Sequence, residues 1–401
     1  RTGPVTPPVH DAVVVGAGHN GLVAAAYLAQ AGRDVAVIER DTVAGGATST
    51  VERFPGYRVD RGSSAHLMIR HSPVIDELRL TDAGLRYVDC DPWAFIPATA
   101  SAPAIVFRTD LDATCASIER ACGAADAAAY RRFVATWTPR ARAVMRAFYR
   151  PPTTGRFGTT FLGLDGTADT AWRGVVTRRT GRMAALTQEL MGSGDALLDR
   201  WFSSEHLKAG LAWFGAQSGP PMSAPGTAPM VGFAALMHTI PPGRAVGGSG
   251  ALADALITRL TAHGGTVHLG TPARSITRCG DHWRIDAAGA PSRCTRVVIA
   301  ACHVLTTLDL LAAGGYDPTT IRRWRDSIVV GNGIGMAVRL GTSALPVYRD
   351  LPSGLPAHGV HSGLGLLVTE RAHLIRANAA AAVGELPERP ACVAMSYSAI
   401  D

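Results

Sequence analysis

Apolar residues follow two rhythms along the chain. Near the start, two short unbroken runs, Ala12 to Val15 and Val35 to Ile38, flank a small-residue helical stretch from about Leu22 to Ala31 that Gly32 ends. Unbroken apolar runs predict strands covered on both faces, and a helix between two of them predicts a βαβ crossover. A second block repeats both signals. Leu252, Leu256, Ile257 and Leu260 mark an amphipathic helix stopped by Gly264-Gly265, and strands are predicted at 266–270, 273–278, 282–287 and 294–301. The turn residues Gly280-Asp281 and Ala288-Gly289 link the later strands. Between the blocks the rhythm is helical. Arg108-Thr109-Asp110 reads as a β-edge before a helix beginning near Asp112, and a long stretch from Ala124 to Tyr149 carries Tyr130, Phe133, Val134, Trp137, Val144 and Phe148. Pro139 is expected to kink or break it. Residues 151–180, rich in Gly, Thr and Arg, are expected as a loop over the substrate passage. The Gly/Pro-rich residues 215–230 are expected to line a passage between domains.

The turn inside the first crossover carries chemistry. Gly16, Gly18 and Gly21 sit between strand and helix, and the second strand ends on Glu39. A glycine turn of this spacing is weak alone, but strand, helix, second strand and terminal acid are all present. Gly16 permits the tight turn, Gly18 admits a diphosphate close to the backbone, and Gly21 lets the helix pack on the strand. The diphosphate then faces the positive helix N-terminus, and Glu39 can accept from a ribose hydroxyl pair. A bound adenine dinucleotide is the expectation. The competing reading, a turn and nothing more, leaves the acid at the strand end unexplained.

The segment that follows resembles a known group. GAGHNGLVAAAYLAQAG, then ER, GGAT and FPGYRVDRGSS, is similar to the phytoene dehydrogenase-like FAD oxidoreductases, relatives of carotenoid desaturases and isomerases, amine oxidases and protoporphyrinogen oxidase. The similarity is nearest to a branch named for a pyridine nucleotide-disulphide oxidoreductase domain. It continues through residues 91–133 and returns at 241–305. The resemblance implies an α/β protein with a Rossmann-like, glutathione-reductase-like FAD domain, discontinuous over 1–70 and 241–305. An α+β substrate or cap domain would occupy 71–240 and 306–401. It implies FAD as cofactor, with Gly16, Gly18 and Gly21 at the diphosphate, and Glu39 with Arg40 at the adenosine end. Gly45, Gly46, Ala47 and Thr48 would follow the diphosphate and ribityl chain, and Gly62 and Ser63 would lie near the flavin. Val267 would offer its backbone to the adenine (it also suits a core strand), and Ala300 joins the cofactor set. The family closes with a further glycine-rich flavin segment. Nothing after residue 310 matches it, Gly331, Gly333 and Gly335 lack a following helix cap, and PACVAMSYSAID resembles the stretch that precedes it. The chain is therefore expected to stop short of that contact, which bears on the isoalloxazine more than on the adenosine.

Composition narrows the rest. The 401 residues, 47% hydrophobic, suffice for two domains. The net charge of +7 comes from 38 Arg and a single Lys, Lys208, spread widely. A nucleic-acid site needs basic residues clustered with base-stacking aromatics or a known motif, and with the arginines spread along the chain nucleic acid is not expected as a partner. Seven cysteines without a CxxC or metal spacing point to reduced thiols, no metal and a cytosolic setting. No apolar run is long enough to span a bilayer. The opening RTGPVTPPVH shows no signal pattern and no initiator Met, so a trimmed start is expected. Two readings of the arginine-rich Ala124–Tyr149 stretch stand together, a cap helix with its stripe inward and a helix lying on a membrane surface.

The resemblance implies hydride transfer from a saturated C–C or C–N bond to the flavin, with O₂ or a quinone reoxidising it. The cap's apolar segments suggest a hydrophobic small-molecule substrate. His66 is the candidate for a residue beside the flavin, with a helix-start role lacking proton chemistry as its equal rival. Cys302-His303 reads as a neighbour of the cofactor without a chemical role. Glu205 and Lys208, one helical turn apart, read as a structural pair. Amine oxidation, redox-neutral polyene isomerisation and non-catalytic binding on the same fold remain as alternatives. The sequence does not specify the oligomeric state.

Overall fold

The computed structural model describes residues 9–149, 153, 155, 188–330 and 335–401. The first block contains β1 (Val9–Val15), α1 (His19–Gln30) and β2 (Val35–Ile38), then the ribbon β3 (Thr50–Phe54) and β4 (Tyr57–Asp60). The short helix α2 (Val74–Glu77) and β5 (Tyr87–Asp89) lead out of it. Next come β6 (Ala94–Ile96), β7 (Ile105–Phe107), α3 (Leu111–Cys122) and α4 (Ala124–Phe148). Numbering continues among the described residues with α5 (Gly194–Trp201), α6 (Glu205–Ala216), α7 (Ala228–Gly232), β8 (Gly243–Ala245) and α8 (Gly250–Ala262). The second block adds β9 (Thr266–His268), β10 (Ala273–Cys279), β11 (His282–Ala287), β12 (Ala290–Ala300), α9 (Val304–Ala313) and α10 (Pro318–Ser327). The chain ends with β13 (Leu364–Leu366), α11 (Arg371–Ala382) and β14 (Val393–Ala394).

Both sequence blocks feed one six-stranded sheet, ordered β10-β11-β12-β1-β2-β9. β12, β1, β2 and β9 run parallel, and β10, β11 and β12 form an antiparallel meander. The apolar runs are unbroken because both faces are covered. Ala12, Val14, Val35 and Val37 pack on the side of α1 and α8, while Val13, Val15, Ala36 and Ile38 pack with Ile276, Ile285 and Leu310 on the other. Alternation of side chains along each strand produces this division. Gly32, at φ +74°, ends α1 in a conformation that side chains resist.

A second sheet, ordered β14-β13-β6-β7, supports the helical region. Its strand before α3 is Ile105–Phe107, so the β-edge lies just ahead of 108–110; Arg108 instead pairs with Asp91 at 2.9 Å. Asp110 caps α3 by accepting from the Ala113 amide. α4 runs unbroken through Pro139, contrary to a break there, and Thr138 Oγ1 donates to the Val134 carbonyl at 2.8 Å one turn back. Tyr130, Phe133, Val134, Trp137 and Val144 of α4 are all buried against Trp93, Phe107 and Phe202, whereas Arg131, Arg132 and Arg142 face solvent. The stripe therefore turns inward from Tyr130 through Val144, while Phe148 at the end of the helix is exposed. Ala216, Met222 and Ala228 from 215–230 belong to the same core. The loop expected over 151–180 lies outside the described residues apart from 153 and 155, as do Gly331 and Gly333. Gly335 lies in a stretch without regular structure.

Candidate cofactor cleft

A cleft of about 700 Å³ opens beyond the C-terminal ends of the parallel strands. In open α/β sheets this is where ligands bind, because strand-to-helix turns leave backbone groups free there. Its walls combine the first glycine turn, the ends of β2 and β4, the turn into β10 and the N-terminus of α9.

The glycines of the turn do different work. Gly16 has φ +109°, and a Cβ on it would stand 3.1 Å from the Ala301 backbone. A Cβ on Gly21 would stand 2.2 Å from the Gly16 carbonyl oxygen, so only glycine lets α1 begin so close to the strand. Gly18 is the opposite case: nothing lies within 4 Å of where its Cβ would be. That opening faces the start of α1, which has no side-chain cap and no acid in its first turn. Uncapped amides and the positive end of the helix dipole are what a diphosphate needs. The residues present therefore fit a dinucleotide.

Glu39 lies half-buried at the cleft, where Oε2 accepts from the Ala17 amide at 2.7 Å and Oε1 from the Asp41 amide at 2.9 Å. Each carboxylate oxygen keeps further acceptor capacity, which leaves room for ribose hydroxyls. Arg40 lines the cleft and is exposed. Asp41 pairs with Arg61, and both line the cleft. The Arg61 guanidinium holds the Asp41 carboxyl below the usual carboxylate range.

The second glycine loop lies against the first. Gly45 and Gly18 form a bridge, and the Gly45 amide donates to the Ala17 carbonyl at 2.7 Å. Thr48 is buried and its hydroxyl donates to the Gly45 carbonyl. The amides of Gly62 and Ser63 both donate to the Ala47 carbonyl, at 3.1 and 2.9 Å. Of the residues expected here, Gly46, Ala47 and Gly62 line the cleft, while Gly45, Thr48 and Ser63 support it from behind.

Two expected residues stand elsewhere. Val267 sits within β9, paired with Val37 and packed on the α1 side of the sheet, and Ala300 pairs with Val15. Neither lines the cleft, because the cleft begins where these strands stop. The residues that reach it come after the strands: Pro272 and Ala273 beyond β9, and Ala301, Cys302, His303 and Thr306 beyond β12. Position just past a strand end was the available signal. His303 also caps α9, its Nδ1 accepting from the Leu305 amide.

His66 is not among the cleft-lining residues. It is buried, with Nδ1 2.7 Å from the Tyr87 hydroxyl and Nε2 3.0 Å from the Ser249 hydroxyl. Burial pushes its pKa down to about 4, so the ring is neutral at physiological pH. Both ring nitrogens are thus engaged by protein groups, and His66 sits in a buried hydrogen-bonded cluster, not in the cleft wall. The same buried cluster includes Asp60, which accepts from Thr50 Oγ1 and the Ser249 amide and pairs with Arg244. It ties the β3–β4 ribbon to the return into α8.

In the cap, Lys208 Nζ lies 2.9 Å from Asp199 and 3.8 Å from Glu205, and Arg371 bonds Glu205 and Asp199 at 2.8 Å. Glu205 and Lys208 thus tie α5, α6 and α11 together. Among the described residues no cluster could hold a metal ion, and no helix is long and apolar enough to cross a membrane.

The model of the family described as flavin-containing amine oxidoreductase matches residues 21–304. A rat protein, pyridine nucleotide-disulfide oxidoreductase domain-containing protein 2, is 31% identical over 65% of this chain and 47% of its own. A phytoene dehydrogenase of Streptomyces griseus is 37% identical over 35% of the chain and 28% of its own, and a limonene dehydrogenase component from Castellaniella defragrans is 39% identical over 27% and 20%. The chain spans about half the length of the rat relative. Among solved structures, a double mutant of putrescine oxidase superposes with a TM-score of 0.50 at 18% identity, covering 78% of this chain and 61% of that one, which is a likeness of fold.

Proposed function

The chain belongs to the flavin-containing amine oxidoreductase family and has FAD as its cofactor, and from that premise we propose that it is an oxidoreductase acting on a hydrophobic small molecule. The cleft at the strand ends carries this reading, with its open Gly18 position, uncapped helix start and half-buried Glu39. In this reading the α1 amides hold the diphosphate, Glu39 accepts from the ribose, Gly46 and Ala47 run beside the chain of the cofactor, and Gly62 faces the flavin side with Ser63 behind it. FAD, once bound, supplies a two-electron acceptor for a hydride leaving a substrate C–H bond, and the protein's task is to position substrate and exclude water. The substrate's second hydrogen would leave as a proton to solvent, and the acceptor class for the electrons would be O₂ or a quinone.

The substrate class rests on the names of two relatives, a limonene dehydrogenase subunit and a phytoene dehydrogenase. His66, neutral and held between Tyr87 and Ser249, acts by holding the Ser63–Ser249 junction behind the cleft rather than by exchanging protons.

The test is spectroscopic. Purified protein, or protein reconstituted with FAD, should show flavin absorption that persists through gel filtration. Under anaerobic conditions a terpenoid or polyene should bleach that absorption, and simple diamines should not. A colourless protein that takes up no added FAD would overturn the cofactor assignment, and bleaching by amines alone would overturn the substrate class.

A further inference from the structure

We propose that the Asp41–Arg61 ion pair is a clasp on the cofactor cleft, in which Arg61 is the side-chain cation for the diphosphate and Asp41 competes with the diphosphate for it. This rests on the FAD reading and goes beyond it. The glycine turn offers backbone amides alone, and α1 opens with neither acid nor cap. Among the described residues, four clearly charged side chains line the cleft: Glu39, Arg40, Asp41 and Arg61. Glu39 is an acceptor already engaged by two amides, and Arg40 lies on the exposed rim just past β2. Arg61 is different because its backbone is built into the second glycine loop.

The Arg61 amide donates to the Ser49 carbonyl at 3.0 Å, and the next two amides donate to the Ala47 carbonyl. The Arg61 backbone is therefore fixed beside the Gly45–Gly18 bridge. Its guanidinium, on a long flexible stem, reaches Asp41 across the cleft. Asp41 is the rigid member. Its amide donates to Glu39, its carbonyl accepts from Gly270 at 2.8 Å, and its Oδ1 accepts from the Val43 amide at 3.4 Å. The two side chains are 33% and 34% exposed, the range in which ion pairs contribute little and exchange readily. A diphosphate carries two negative charges and offers the fork-shaped acceptor geometry that guanidinium prefers. Arg61 therefore gains by leaving Asp41 when the cofactor enters, and Asp41 sets a threshold against weaker anions.

The experiment titrates the full chain with FAD, ADP-ribose and adenosine, by calorimetry or by quenching of flavin fluorescence. Arg61→Gln should weaken FAD and ADP-ribose about tenfold. Asp41→Asn should tighten both, by about threefold, because the competitor loses its charge. Arg61→Lys should fall between wild type and Arg61→Gln. Adenosine, with no phosphate, should be indifferent to all three. The opposite signs of the two main variants distinguish a clasp from scaffolding. If Asp41→Asn weakens FAD as Arg61→Gln does, or if adenosine shifts in parallel, the proposal fails. If the wild-type chain binds neither FAD nor ADP-ribose, it is the cofactor reading that fails.

Discussion

The cofactor cleft and the cap core solve opposite problems. The cleft is built from backbone: glycines that permit close approach, amides left unpaired at a helix start, and carbonyls that tie one loop to another. The cap is built from side chains: Trp93, Tyr130, Phe133 and Trp137 fill one interior at 1% exposure or less. A backbone site tolerates no added atom at a few positions and ignores much else. A side-chain core tolerates shape changes more evenly, at a cost that scales with the volume lost.

Variants can press on that contrast. The largest effect is expected from Gly21→Val. Its Cβ would meet the Gly16 carbonyl at 2.2 Å, a backbone atom that cannot rotate away. Destabilisation of about 3 kcal/mol or more is expected, together with loss of FAD binding. Thermal melting and flavin content measure both, and a variant with wild-type flavin content would show that the turn is not what sets the cleft. Trp137→Ala should cost about 3–5 kcal/mol by leaving a cavity in the cap. Its FAD affinity should stay within a few-fold of wild type, since Trp137 is not among the residues that line the cleft. Collapse of affinity along with stability would show that the two regions are not separable.

The smallest effect at neutral pH, growing in acid, belongs to His66, which lies in the buried cluster linking the β3–β4 ribbon to α8. Its ring stays neutral in the folded chain down to about pH 4, whereas the unfolded chain takes up a proton below its ordinary 6.5. The folded state thus binds fewer protons between these values, and stability falls as pH drops through that window. The loss approaches ~3 kcal/mol at the acid end for a shift of this size. His66→Gln should flatten that part of the pH dependence, measured by urea unfolding at neutral pH and at two acid points. An unchanged slope would assign the acid sensitivity to other buried histidines, such as His71 and His238, whose pKa values are also lowered by burial.

How far the chain could be read in advance follows from the same contrast. β1, α1, β2 and Glu39 were legible because each rests on local chemistry: apolar runs, a helix of small residues, a glycine where φ is positive. The residues expected at the adenosine side sit within strands, a few positions short of the cleft wall. Val267 and Ala300 mark the right strands, but the cleft starts beyond them, at Ala273 and Ala301. His66 was singled out by its place after DRGSS, and sequence could not reveal Tyr87 and Ser249 at its two nitrogens. Pro139 was expected to interrupt a helix that packing on Trp93 and Phe202 carries through.

The sequence by itself determined the crossover, its turn and the acid at its end, because backbone conformation and strand burial depend on neighbours in the chain. Only the tertiary structure decided which strand ends meet, that Arg61 faces Asp41 across the cleft, and that the arginine-bearing helix turns its aromatic stripe inward. Those outcomes depend on contacts between residues far apart in sequence, such as the 20 positions separating Asp41 from Arg61, and local pattern carries no record of them.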